Sequence, residues 1–242
     1  NTTHGIYVDT TCRFKMTGGS IINNKGCGII VHVGNSDMTI SGGTISGNSS
    51  WGIYVSNDTL ASSPTFGMTI SGGSITNNKE GGIKTLRKAQ YKFLGSPKIY
   101  NNGGAGNLVF ANSTDTAPII SGKLNAGAYI GVTGYAGSPT AQPFATGYTA
   151  AGNASADVSR YFFADNKSYK VNLNANGSLQ LGTGGTTSSL ASAWTTAVNN
   201  NGTFKMTQNW VAVAHSTFGT SFNGASDTVT SGSTPFSNGA LC

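Results

Sequence analysis

Glycoside hydrolysis needs two carboxylates within about 5–10 Å of each other, and the chain has eight acidic residues from which to build such a pair. They are Asp9, Asp37, Asp58, Glu80, Asp115, Asp157, Asp165 and Asp227, scattered singly, with no Asp-Asp or Asp-x-Asp among them. A calcium site for lyase chemistry wants several carboxylates together, and none are clustered. His4, His32 and His215 stand in no metal-ligand spacing with one another or with the cysteines. No nucleophile elbow, phosphate loop or dinucleotide fingerprint occurs. Asp9 and His32 come nearest to a pair, each two residues after an equivalent outward position (Tyr7 and Ile30), and such a pair on a strand surface reads as a simple hydrogen bond. The expectation is therefore a protein with no catalytic residues, no metal and no cofactor.

Binding is better provided for. Tyr7, Trp51 and Tyr54 lie where they would expose aromatic surface along one flank, and aromatic faces suit sugar rings; the plainer alternative is that they cover the edges of the fold. Lys84, Arg87, Lys88 and Lys92 form the only basic cluster in a chain of net charge +6. Either they are solvated residues of one irregular segment, or they make a local patch for an acidic glycan, teichoic acid or another polyanion. No nucleic-acid module is present.

The elements that must position these residues come from a repeat. Met-Thr-Ile-Ser-Gly-Gly-Thr-Ile at Met38–Ile45 returns, with Ser for the second Thr, at Met68–Ile75. Looser copies stand at Phe14–Ile21, Tyr91–Ile99 and Pro118–Leu124. Repeats with a period of about 20–30 residues indicate a solenoid, and alternation of apolar Met38, Ile40 with polar Thr39, Ser41 marks strands with one buried face. The glycine pairs Gly18-Gly19, Gly42-Gly43 and Gly72-Gly73 then mark bends that a Cβ would resist. Ile21, Ile45, Ile75 and Ile99 point back to the core. Three residues later come Asn24, Asn48, Asn78 and Asn102, suited to left-handed corners and able to stack as a ladder of side-chain amides. The third piece is Gly-Ile-Tyr-Val at Gly5–Val8 and Gly52–Val55, with variants at Gly28–Val31 and Gly82–Thr85. Ile6, Ile29, Ile53 and Ile83 should face inward; Tyr7, Ile30, Tyr54 and Lys84 should form one outward column. The segment between Ser56 and Gly67, rich in Ser, Thr and Pro, reads as a surface loop.

These phrases resemble the right-handed β-helix repeats of large bacterial cell-surface proteins, the adhesin-like group with a pectate-lyase-like fold. The resemblance is strong over residues 1–125 and weaker through Ile119–Val132 and Tyr161–Leu181. It implies an all-β, right-handed parallel β-helix (a β-solenoid) in an extracellular, secreted or surface-attached protein. It brings no catalytic motif onto these positions.

Beyond residue 125 the repeat fades. Strands are expected at Ala128–Thr133, Tyr161–Ala164, Tyr169–Asn174 and Ser178–Leu181, the last two as a hairpin about Asn174-Ala175-Asn176-Gly177, so that residues 126–182 form an antiparallel closing section. Gly182–Ser188 reads as a linker. Residues 189–242 carry an amphipathic helix at Ser189–Val198, with Leu190, Ala193, Trp194, Ala197 and Val198 on one face, followed by strands at Thr203–Thr207 and Trp210–His215. In the resembling proteins such a helix-plus-strand segment covers the opening of a β-helix. The bare ends at Asn1 and Cys242 then suggest that Leu190, Trp194, Val198 and Cys242 meet another subunit, head to tail, as in an open fibre.

Composition agrees. Only 9% of residues are charged, against about a quarter in an average soluble domain, and 35 glycines help fill the deficit. No run approaches the length of a membrane span. Cys12 and Cys27 fall at turns one repeat apart, so a bridge is conceivable, with isolated thiols the favoured reading. The expected function is a non-catalytic structural or adhesive module, its partners being copies of itself, adjoining domains, or host or microbial glycans. A polysaccharide lyase or hydrolase and a monomeric glycan-binding module are the alternatives.

Overall fold

The computed structural model describes residues 3–9, 11–32, 37–56, 67–85, 90–111 and 116–183, and the strand residues 203–205 and 228–230. Two compact units divide the chain, Asn1–Gly184 and Gly185–Cys242.

The first unit is mostly β, with parallel sheets, one of them curled into a half-barrel. Its six-stranded sheet takes the third phrase of each repeat: β1 (Ile6–Val8), β3 (Ile29–His32), β5 (Trp51–Ser56) and β8 (Gly81–Thr85), then β11 (Leu108–Phe110) and β14 (Gly134–Tyr135). The pairing is in register with the sequence phrases, Ile6 beside Ile29, Ile29 beside Ile53, and Ile53 beside Ile83. Ile29, Ile53 and Ile83 are fully buried, as is Leu108 opposite Ile83. Each such side chain contributes about 1.5–3 kcal/mol over leaving it in water.

The nine-stranded sheet is built from the other two phrases. It contains β2 (Arg13–Ile22), β4 (Asp37–Ser46), β6 (Gly67–Ile70), β7 (Ser74–Thr76), β9 (Gln90–Gly95), β10 (Lys98–Tyr100), β12 (Ile119–Leu124), β13 (Tyr129–Val132) and β15 (Phe162–Ala164). The long strand β4 pairs with β2 on one side and with two shorter strands on the other: Asp37–Ile40 with β6, and Thr44–Ser46 with β7. Between those segments the chain bends at the glycine pair. Gly43 and Gly73 hold φ of +89° and +80°, a region that costs a residue bearing Cβ about 1–2 kcal/mol.

The asparagine corner differs in one respect from expectation. The left-handed residue is the one before each ladder asparagine, with φ of +56° at Asn23, +65° at Gly47, +56° at Asn77 and +53° at Asn101. That twist turns the next side chain, Asn24, Asn48, Asn78 or Asn102, toward the interior. The fifth copy is also real: Ile119 and Ile120 of β12 pair with Lys92 and Phe93.

Parallel pairing outlasts the repeat. Instead of opening an antiparallel section at residue 126, β13 runs parallel to both β10 and β15, because Ile130 and Phe162 occupy the inward slot held by Ile99. Between β14 and β15 the chain makes an excursion that buries Phe144 and Tyr148, whose rings pack against Phe162, and a single helical turn, α1 (Val158–Tyr161), leads back into β15. Antiparallel pairing joins β16 (Tyr169–Leu173) and β17 (Leu179–Thr183) across Asn174–Ser178, with Gly177 at φ +76°. Cys12 is exposed and Cys27 buried, and no disulfide joins the two.

In the second unit β18 (Thr203–Lys205) pairs antiparallel with β19 (Thr228–Thr230). The helix expected at Ser189–Val198, with Leu190, Trp194 and Val198, lies outside the described residues, as do Cys242, the strand expected at Trp210–His215, residues 57–66, and Arg87 and Lys88. Among the described residues no helix is long and apolar enough to cross a membrane.

Candidate functional site

On the outer face of the six-stranded sheet, Tyr7, Ile30, Tyr54, Lys84 and Val109 form one column, each opposite the next. Tyr7, at its start, is 53% exposed and lies against His32, with ring centroids 5.3 Å apart. Trp51 behaves differently. It pairs with Gly81, and its ring covers that glycine so closely that a Cβ there would sit 2.7 Å from Cε3. Cys27 and Val109 are buried beside it, with Ile30 and Tyr54 packed on, leaving Trp51 only 8% exposed. Lys84 Nζ sits 5.5 Å from the Trp51 ring centroid and 5.3 Å from that of Tyr54, a cation–π arrangement contributing about 0.5–1 kcal/mol at such a surface. Trp51, Tyr54 and Lys84 are thus brought together, and Trp51 covers backbone. Tyr7 stands two strands away, roughly 10 Å at about 4.8 Å per strand.

The basic residues regroup as well. Lys92 belongs to the other sheet, where Lys15, Thr39, Thr69 and Lys92 make one outward column and Arg13, Asp37, Gly67 and Gln90 make the next. These two columns line a shallow groove of about 620 Å³. Arg13 and Lys15 stand at one end and Lys92 three strands away, about 14 Å at the usual spacing. Asp37 faces the same groove, so its field is cationic with one carboxylate inset, and hydroxyls from Thr39 and Thr69 lie between. An extended anion fits that arrangement better than a compact one does. Lys15 and Lys92 are the second residues of the repeat phrases Phe14–Ile21 and Tyr91–Ile99, and the stacking register sets those equivalent positions in one column.

The most ordered polar array is internal. Asn24 Nδ2 donates to Asn48 Oδ1 at 2.8 Å, Asn48 Nδ2 to Asn78 Oδ1 at 2.8 Å, Asn78 Nδ2 to Asn102 Oδ1 at 2.9 Å, and Asn102 Nδ2 to Asn107 Oδ1 at 2.8 Å. Each receiving oxygen also accepts the donor's own backbone N–H, at 3.1–3.2 Å. The donors all point the same way, and the array ends on a carboxylate: Asp165 accepts from Asn107 Nδ2, from Asn107 N at 2.7 Å and from Thr133 Oγ1 at 2.6 Å. A negative charge at the donor end of aligned amide dipoles is the electrostatically favoured terminus. The amide ladder follows from the sequence spacing; Asn107 and Asp165, which belong to no repeat phrase, do not.

Other carboxylates are similarly committed. Asp157 pairs with Arg160 at 3.5 Å, and Glu80 accepts from Ser50 Oγ. Among the described residues no three His, Cys, Asp or Glu side chains gather in a way that would hold a metal ion. Burial, with Asp157 and then Tyr161 nearby, pushes the Tyr148 phenol up to about 12. Its hydroxyl donates to Ala154 O at 3.0 Å, so it is a neutral structural phenol. No family model, curated protein or solved structure matches the chain.

Proposed function

We propose that the chain is a right-handed parallel β-helix acting as a non-catalytic extracellular structural or adhesive module, with the Arg13–Lys15–Lys92 groove as its contact for an acidic glycan. The observation that carries this reading is the distribution of polar chemistry. Inside, the asparagines and Asp165 hydrogen-bond one another along the stack; outside, the repeats leave columns of hydroxyls and ammonium groups in register. A structure organised that way offers long, regular binding faces, and its low charge suits exposure outside the cell. Head-to-tail joining of copies into a fibre extends the same reading.

Titrating the full chain with polygalacturonate tests it. Binding should weaken steeply with salt, because the contact is between exposed charges, and Lys15→Glu combined with Lys92→Glu should abolish it while leaving the melting temperature unchanged. Polygalacturonate affinity indifferent to both substitutions would remove the groove from the account. Light scattering with negative-stain microscopy tests assembly: uniform filaments support the fibre, and a stable monomer at high concentration refutes it. Turnover of the same polysaccharide by the purified chain would instead make it an enzyme.

A further inference from the structure

Near its C-terminal end the nine-stranded sheet carries a cluster of outward aromatic rings that no repeat phrase announces. The strands run β7, β10, β13, β15 in order, and their register sets Thr44, Ser74, Lys98 and Tyr129 in one outward column. Tyr129 is 44% exposed. One side of its ring stacks on Phe163, with centroids 4.3 Å apart and an interplanar angle of 26°, and Tyr100 forms a T-shaped pair with it at 5.9 Å and 65°. Phe163 and Tyr100 are half-buried, so the pair holds the Tyr129 ring in one orientation with part of its surface in water. Leading up to this platform is a shallow groove of about 440 Å³ in which Ser71, Ser74, Ser96 and Lys98 present hydroxyls and one ammonium.

We infer that this strip binds a neutral polysaccharide, seating a β-linked pyranose with equatorial hydroxyls on Tyr129 and laying the neighbouring sugar units along the serines. A pyranose of that kind has flat C–H faces and a hydroxylated rim. The site answers both: the water-exposed part of the Tyr129 ring takes the apolar side, and the serine hydroxyls with Lys98 take the rim. The alternatives fit less well. A peptide adding as a strand needs an open sheet edge, and this is a sheet face. An anionic polymer needs more cations than the single Lys98 in this column. Spacing helps too, since successive strands offer an outward side chain every 4.8 Å or so along the stack, a repeat on the scale of one sugar unit.

The inference rests on the adhesive reading above, but on different residues and a different ligand chemistry, so the two fail separately. Calorimetric titration of the full chain with cellohexaose tests it, at about 0.15 M and about 1 M salt. The wild type should bind with little change between the two. Tyr129→Ala and Phe163→Ala should each weaken binding by up to about tenfold, the scale of one aromatic contact. Tyr129→Phe should retain it, and Tyr7→Ala, on the other sheet, should leave it unchanged. Lys98→Ala, at an exposed position outside the core, should weaken it without disturbing the fold, which keeps the test valid if an aromatic variant unfolds. Absence of cellohexaose binding by the wild type overturns the inference, as does unaltered binding by folded Tyr129→Ala and Lys98→Ala. Either result combined with intact, salt-sensitive polygalacturonate binding removes this strip alone and leaves the acidic-glycan groove standing.

Discussion

Asn78→Asp replaces one nitrogen with one oxygen in a side chain that is 0% exposed. In the wild type, Asn78 Oδ1 accepts from Asn48 N at 3.2 Å and Asn48 Nδ2 at 2.8 Å. Its Nδ2 donates to Asn102 Oδ1 at 2.9 Å, Ile45 O at 3.1 Å and Thr76 O at 3.2 Å. Aspartate keeps the accepting half and inverts the donating half, setting a carboxylate oxygen against three acceptors. Orphaning a buried polar group costs about 1–3 kcal/mol, and more for a charge, so the aspartate variant should lose about 4 kcal/mol at neutral pH. Asn78→Ala removes both halves and leaves the Asn48 amide N–H without its acceptor, at a cost of about 2–3 kcal/mol by the same rule. The sign of the pH effect follows. A carboxyl surrounded by acceptors has a folded pKa above the unfolded value, so the variant is relatively most stable below the unfolded pKa and loses that stability as pH rises through the folded one. Its protonated form also regains a donor for Asn102. Urea midpoints of wild type, Asn78→Ala and Asn78→Asp at neutral and mildly acidic pH check this. The reasoning is refuted if Asn78→Asp matches wild type at neutral pH, or if its deficit relative to wild type widens on acidification.

Three further outcomes follow from single sites. Gly73→Ala should lower stability by about 1–3 kcal/mol in thermal melts, because φ is +80° and the new Cβ would lie 3.1 Å from the Gly42 carbonyl; Gly18→Ala, with open space around it, should be nearly neutral. Asp165→Ala should cost about 2–4 kcal/mol by stranding the backbone and side-chain N–H donors of Asn107, and hydrogen exchange at the Asn107 amide should accelerate; unchanged exchange would show that the ladder does not need its carboxylate. The Tyr148 phenol ionises near 12 in the fold, against an ordinary 10.0. Its stabilising contribution is therefore complete below pH 10 and is lost as pH rises toward 12. Tyr148→Phe should retain, in alkaline denaturation, the stability that wild type loses over that window.

Much of the scaffold was legible in the residues alone, because its signals are local. Alternation in Met38–Ile40 and Met68–Ile70 sets which side chains are buried, whatever they touch. Glycine pairs mark the bends because only they tolerate the backbone there, and asparagines at a constant offset stack because each carries both a donor and an acceptor. The hairpin across Asn174–Ser178 was legible for the same reason. Other features were not: Leu108–Phe110 and Gly134–Tyr135 lack the Gly-Ile phrase, and β13 and β15, expected as strands, read as members of an antiparallel section. Hydrophobic pattern specifies a buried face without specifying which strand lies beside it.

The candidate binding surfaces belong to that second category. Residue spacing established that Tyr7, Tyr54 and Lys84 point outward and that Lys92 is solvated. Only the stacking of strands decided that Trp51 covers Gly81, that Asp165 ends the amide ladder, and that Tyr100, Tyr129 and Phe163 meet on one face. The physical reason is geometric. Along a strand, the direction of a side chain follows from its own position and the period of two; its neighbours across the sheet depend on the length of every intervening turn, and those lengths vary from one repeat to the next.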